Sequence, residues 1–275
     1  MRLFIVSDLH GAYEPLADFL APDDILISLG DHINILDYKD LSGILAGFVP
    51  KDVIAATLEL IQAEKLDEAR AAMARAAGSI PDLFVRIREA VQEMYFDMCH
   101  ALPCEVHFLY GNVDYPDALR ANLAANQTLH EAEVLEIQGR RFGLVSGLPP
   151  GPYSFGMPGE LDRKVYAQRL HDIGAVDVLC VHLPPAIEEL SFDVKAGRDE
   201  GGCEDLTYYF KLHRPRYVLF GHVHQPRTAE LADYEVIDEP VELLNVGCFR
   251  DTRRLLCLDP QTLERSWVSL DPSRP

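Results

Sequence analysis

The sequence predicts an α/β fold built on largely parallel strands, and three observations predict it. Five short apolar runs are spread along the chain: Leu3–Val6, 25–29, 106–110, 176–181 and Tyr217–Phe220. Stretches with apolar residues at helical spacing separate several of them. Each run stops at a residue able to bind a metal or a phosphate, and in an α/β sheet the carboxyl ends of parallel strands form the ligand-binding edge.

In chain order, residues 1–31 read as strand, loop, short helix, strand. Residues 40–100 differ in character and predict a mainly helical insertion. The apolar set Val53, Ile54, Leu58, Ile61, Leu66, Ala69 and Met73 marks helix within 51–77, and Leu83, Phe84, Ile87, Val91, Met94 and Tyr95 mark another within 82–99. Gly78 and Pro81 separate the two. The insertion falls between the second and third ligand-bearing strands, so it is expected to emerge on the site edge as a cap. From Val106 the strand–helix pattern resumes. Segments 133–137 and 141–145 flank Gln138-Gly139-Arg140 and predict a β-hairpin. The segment 147–159 holds four Gly and four Pro and predicts a rigid connection. Helix is expected over 160–173 and 203–212, an acidic loop over 186–202, and strands over 241–246, 255–258 and 266–270. No repeat or linker divides the chain, so residues 1–275 read as one domain carrying the 40–100 insertion.

At 275 residues with 48% hydrophobic content the chain can bury a substantial core. A formal charge of −19 repels a nucleic-acid backbone and disfavours such a partner. No stretch approaches the roughly 20 apolar residues of a membrane span, and Asp8 and His10 interrupt the first apolar run too early for a secretory signal. A cytoplasmic protein is expected. The six cysteines form no CxxC pair, which argues against a disulfide framework or a thiolate zinc site.

The strand-end residues carry the chemistry. Asp8 and His10 are two apart; in an extended segment both side chains point to one side and can reach one ion. His222 and His224 repeat the arrangement. Carboxylate and imidazole without thiolate favour Mn²⁺, Fe or Zn²⁺ over Ca²⁺. Asp31 has two oxygens and can bridge two ions, and Asn112 offers a neutral amide oxygen. Two ions about 3.5–4 Å apart can hold a hydroxide and clamp a phosphoryl group.

Asp8-Leu9-His10, Gly30-Asp31, Gly111-Asn112, His182 and Gly221-His222-Val223-His224 together resemble the calcineurin-like metallophosphoesterase family. Asn245-Val246-Gly247-Cys248 is similar to the Asn-Pro-Gly-Ser segment of its compact bacterial members. The resemblance covers 1–35, 104–115 and 176–250 and leaves out the helical insertion. It implies a two-sheet α/β sandwich with outer helices and two divalent metal ions (Mn, Fe or Zn). By the resemblance, one ion takes Asp8, His10, Asp31 and His224, and the other takes Asp31, Asn112, His182 and His222. The implied reaction is hydrolysis of a small phosphate ester by a hydroxide held between the ions, with Asp31, Asn112 and His222 at the catalytic centre.

One departure bears on substrate. The family's third motif usually reads Gly-Asn-His-(Asp/Glu), its His commonly assigned to protonate the leaving group; here it reads Gly111-Asn112-Val113-Asp114. A general acid typically contributes 10²–10⁴-fold, so without this His the chain must use another acid, a metal-bound water or an ester with a better leaving group. A family branch that also lacks this His is associated with phosphodiesterase activity, and by that resemblance a phosphodiester is expected. His32, beside Asp31, is the candidate replacement acid. Two other readings remain open: a phosphomonoesterase or nucleotide phosphatase whose insertion supplies the acid, and a non-catalytic protein-binding scaffold of the same fold.

Overall fold

The computed structural model describes residues 1–37, 39–231 and 240–271. Its elements in order are β1 (Leu3–Val6), α1 (Glu14–Phe19), β2 (Ile25–Ser28), α2 (Lys51–Gln62), α3 (Leu66–Ser79), α4 (Leu83–Ala101), β3 (Glu105–Phe108), α5 (Pro116–Asn122), β4 (Gln127–Leu129), β5 (Ala132–Ile137) and β6 (Arg140–Val145). Then come α6 (Arg163–Ile173), β7 (Val178–Val181), α7 (Glu188–Ser191), β8 (Phe192–Asp193), β9 (Arg198–Asp199), α8 (Glu204–His213), β10 (Tyr217–Phe220), β11 (Arg227–Leu231), β12 (Val241–Asn245), α9 (Phe249–Thr252), β13 (Arg254–Leu258) and β14 (Arg265–Ser269).

The strands form two main sheets, ordered β14-β13-β1-β2-β3-β4 and β11-β12-β10-β7-β6-β5. The first has β1 to β4 parallel, and the second has β6, β7, β10 and β12 parallel. Antiparallel strands complete their edges. This is the two-sheet sandwich that the sequence leads one to expect.

The period of two along a strand sorts the core into layers. Leu3 and Ile5 of β1, with Ile25 and Ile27 of β2, face inward against Leu144, Cys180 and Leu219 of the other sheet. Phe4, Val6 and Leu26 face outward and pack under helices. Val145, Leu179, Val181, Val218 and Phe220 do the same on the second sheet, beneath Tyr166 and Leu170 of α6 and Leu206 and Phe210 of α8. Both faces of the central strands are buried, which is why those runs are continuously apolar in sequence.

All three helices between β2 and β3 pack on the first sheet's outer cluster, α2 through Ile54 and α3 through Met73. Ile87, Val91, Tyr95 and Met98 of α4 lie in the same core cluster as Phe4 and Val106, so α4 is an outer layer of the sandwich. α2 and α3 pair with one another, and Arg70 of α3 donates to the Ser154 carbonyl at 3.1 Å, tying the pair to the Pro/Gly-rich segment. The expected acidic loop over 186–202 instead contains α7 and the two-residue strands β8 and β9, paired antiparallel. Strands this short leave no alternation to read. No helix among the described residues is long and apolar enough to cross a membrane.

Candidate metal centre

β1, β2, β3, β7 and β10 end along one edge, and the residues after them converge there. Three sets of side chains bring possible ligand atoms within 4.8 Å of one another: Asp8, His10 and Asp31; Asp31, His182 and His222; and His10, His224 and Cys248. Asn112 joins through its Oδ1, 3.1 Å from His222 Nδ1. All seven predicted ligand positions therefore meet in one place, and Asp31 belongs to two of the sets.

The backbone reaches this arrangement differently from the sequence argument. Asp8, His10, Asp31 and His222 all have left-handed φ, between 41° and 66°, a region uncommon for non-glycine residues. Asp8 and His10 thus converge through a turn after β1, not through the pleat of an extended segment. Gly221 permits a close approach between the segments after β10 and β1. A Cβ there would lie 1.8 Å from Ser7 Oγ and 2.5 Å from Asp8 Oδ2, so any side chain would force β1 and β10 apart.

Backbone carbonyls orient two of the imidazoles. His10 Nδ1 lies 3.3 Å from the Ile33 carbonyl, and His182 Nδ1 lies 3.1 Å from that of Leu29. A carbonyl only accepts, so each Nδ1 carries a proton and Nε2 is the nitrogen left to face the site. His224 Nδ1 is held by the Asp193 carboxylate of β8. Asp193 is buried, and its other oxygen accepts the N–H groups of Lys195 at 2.7 Å and Ala196 at 3.1 Å. Nothing in sequence spacing links Asp193 to His224, 31 residues away.

The residues fit a divalent cation. Asp8 Oδ1 and His10 Nε2 are buried without a hydrogen-bond partner. Such orphaned polar atoms cost about 1–3 kcal/mol each, a cost that a shared cation would offset.

The imidazoles differ in protonation. Burial alone would lower His182, but the charge of Asp31 and the hydrogen bond to it push its pKa up to about 9. Burial, then the charge of His182, pushes His222 down to about 4. An ion seated between them at pH 7.5 must displace the His182 proton and finds His222 already neutral. Metal binding is therefore expected to release protons and to tighten as pH rises toward 9. Titration calorimetry in buffers of different ionisation heat checks this; zero proton release at pH 7.5 contradicts it. In the metal-free protein the sign runs the other way. The Asp31–His182 pair contributes its full stability between about pH 4, the unfolded range of Asp31, and about pH 6.5, and loses it as pH rises through about 9.

His32 has a different position from the one expected of an acid. It is buried beneath the edge, with Nε2 2.9 Å from Ser28 Oγ and Nδ1 3.1 Å from Asp114 Oδ2. The ring is fully buried and does not line the cavity at the site, so it has no access to a leaving group.

The edge opens into a cavity of about 930 Å³ that includes His10, Asp31, Asn112, Val113, His222 and His224. Leu58, Ile61 and Gln62 of α2 form one wall, and Pro149, Pro150 and Tyr153 of the Pro/Gly segment form another. Arg198 of β9 stacks 3.5 Å above the Tyr153 ring and closes a third side. A second cavity, of about 320 Å³, lies beside Arg2 and Cys257 at the amino end of β1 and contains none of the seven residues.

The family model described as calcineurin-like phosphoesterase matches residues 1–226. A solved crystal structure 15% identical to this chain superposes with a TM-score of 0.61, covering 98% of this chain and 99% of its own. Phosphopantetheinyl hydrolase from Mycobacterium tuberculosis is 16% identical, with a TM-score of 0.43 over 100% of this chain and 98% of that one. An archaeal phosphodiesterase is 13% identical, with a TM-score of 0.38 over 98% and 99%. No curated protein matches by sequence.

Proposed function

The chain belongs to the calcineurin-like phosphoesterase family, a family of metal-dependent phosphate-ester hydrolases, and on that premise we propose that it is a phosphodiesterase working with two divalent ions that share Asp31. The observation that carries the two-ion reading is the membership of Asp31 in two ligand sets. On this reading Asp8, His10 and His224 would hold one ion with Asp31, and Asn112, His182 and His222 the other. When bound, such ions activate water and neutralise phosphoryl charge. The protein's own part is to fix their ligands: the Leu29 and Ile33 carbonyls set two imidazole tautomers, and the Val113 N–H donates to Asp31 Oδ1 at 3.1 Å.

Three features support a diester. Val113 lines the cavity beside Asn112 and has no proton to give. The α2 residues on the wall, Leu58, Ile61 and Gln62, supply no carboxyl or imidazole in its place, and the carboxyls of Glu160 and Glu200 that line the cavity come from outside the insertion. Carboxylates already hold several of the cavity's cations: Lys195 and Arg250 lie 3.3 Å from Asp37, and Arg163 lies 2.8 Å from Glu204. A singly charged diester asks less of such a lining than a doubly charged monoester. The cavity is also far larger than a phosphate group requires, and its apolar walls suit a small-molecule ester with an extended organic arm. A cytoplasmic setting fits the six unpaired cysteines.

The test is hydrolysis of an activated diester and a matched monoester with Mn²⁺ present. kcat/KM is expected to favour the diester. Preference for the monoester overturns the diester reading. A protein that binds no divalent metal at all would be the scaffold instead.

A further inference from the structure

The third ligand set contains a sulfur atom that the metal-binding motifs do not include. Cys248 follows β12 in the Asn245-Val246-Gly247-Cys248 segment and is fully buried. Its Sγ lies within 4.8 Å of ligand nitrogens of both His10 and His224. With His10 Nδ1 turned to Ile33 and His224 Nδ1 turned to Asp193, the nitrogens left to face the sulfur are the two Nε2 atoms. A second observation points to a ligand at the same spot. Asp8 is fully buried, yet its Oδ1 has no hydrogen-bond partner and lies 3.8 Å from His10 Nε2. A thiol and two imidazole nitrogens thus lie within 4.8 Å of one another, and an unpartnered carboxylate oxygen stands 3.8 Å from one of those imidazoles.

Local structure keeps the sulfur there. The Cys248 N–H donates to the His224 carbonyl at 2.9 Å, and the Phe249 and Arg250 N–H groups donate to the Ser7 and Asp8 carbonyls at 3.0 and 3.3 Å. Gly247 turns the chain at φ 73°. Asn245 clamps the segment from behind, donating to the Val223 carbonyl at 2.9 Å and accepting from the Gly247 N–H at 2.7 Å. The thiol itself lies 3.3 Å from the Asp8 carbonyl, to which it donates its weak hydrogen bond. The other five cysteines lie outside the three ligand sets found among the described residues.

We propose that Cys248 is a metal ligand, a thiolate that joins Asp8, His10, Asp31 and His224 at one of the two ion positions and biases that position toward Zn²⁺, Co²⁺ or Fe over Mn²⁺. This inference rests on the two-ion reading above. The step is ligand exchange without redox change. The S–H bond breaks, the metal–sulfur bond forms from the sulfur electron pair, and the proton passes to solvent. The hydrogen bond to the Asp8 carbonyl is given up. A soft thiolate in a shell otherwise made of imidazole and carboxylate changes which metals the position prefers, because Mn²⁺ favours oxygen donors.

The experiment loads the full-length protein and its Cys248→Ser and Cys248→Ala variants with Co²⁺, and follows absorbance and metal stoichiometry together. Wild type is expected to bind two cobalt ions and to show a near-ultraviolet thiolate-to-cobalt charge-transfer band of one-thiolate intensity. Both variants should lose that band while keeping the visible d–d bands of bound cobalt. Competition should show Zn²⁺ losing at least about tenfold of its advantage over Mn²⁺ in the Ser variant. Two bound ions with no charge-transfer band in wild type, or a band unchanged by Cys248→Ser, overturns the thiolate assignment and leaves the two-ion reading standing. No cobalt bound by folded wild type overturns both. Unchanged thermal unfolding of the metal-free variants separates ligand loss from misfolding, and the Ser variant guards against any cavity left by Ala.

Discussion

Asp31→Asn is expected to lower kcat/KM by about 10³-fold or more, equivalent to about 4 kcal/mol of transition-state stabilisation, and to weaken both metal ions together. Asp31 is the carboxylate common to two ligand sets, and it is nearly fully buried. Its Oδ1 accepts the Val113 N–H at 3.1 Å, and its Oδ2 lies 3.4 Å from His182 Nε2. An amide in its place keeps the volume but loses the charge, and it must turn an N–H₂ group toward an ion or toward the Val113 N–H. Asp8→Asn is the informative contrast. Asp8 belongs to one ligand set, so that variant is expected to weaken one ion and spare the other. Metal content after dialysis against graded chelator, measured beside turnover, checks both. Equal retention of two ions in the two variants would refute the sharing of Asp31.

The second large effect is on stability. Asp114→Ala is expected to cost about 3–5 kcal/mol, which for a chain of this size lowers the melting temperature by roughly 10 °C. Asp114 is fully buried behind the site and does not face the cavity. Its Oδ2 accepts the N–H groups of Asp31 at 2.8 Å and Gly111 at 2.9 Å. Its Oδ1 accepts the His32 N–H at 3.0 Å and the Tyr95 hydroxyl at 2.9 Å. One carboxylate therefore ties the turn after β2 to the turn after β3 and anchors both to α4. Alanine leaves those buried donors, and His32, without their acceptor. Burial alone would raise the Asp114 pKa, but the charge of His32 and the hydrogen bond to it outweigh burial and hold it below the ordinary carboxylate range. The stability it contributes is present above about pH 4 and fades as pH falls through that lowered value. The wild-type advantage over Asp114→Ala in thermal unfolding should narrow at strongly acidic pH. A melting temperature unchanged at pH 7 would contradict the structural role.

These two aspartates show how the site's legibility is divided. Asp31 was legible because it ends an apolar run after a glycine, and strand-end placement is a property of local sequence. The same holds for Asp8, His10, Asn112, His182, His222 and His224. Asp114 lay in plain view within Gly111-Asn112-Val113-Asp114, but its role depends on two turns and α4 meeting beneath the sheet edge. Asp193 had no signal at all, because β8 and β9 are too short to show a period. His32 illustrates the opposite error: adjacency to Asp31 suggested an acid, whereas the left-handed turn at Asp31 sends the next side chain inward.

The sequence by itself determined the α/β class, the strands that end at the site and the residue types gathered there, since burial on both faces demands continuous apolar runs and metal binding demands particular donor atoms. Tertiary structure alone decided how those residues meet. It replaced a pleat by left-handed turns, built α4 into the core, set α2 as a cavity wall and brought Asp193 and Cys248 against the histidines. Those contacts join positions up to about 240 residues apart, such as Asp8 with Cys248. No local pattern encodes such distances, because they follow from the packing of two sheets and not from the preferences of either segment.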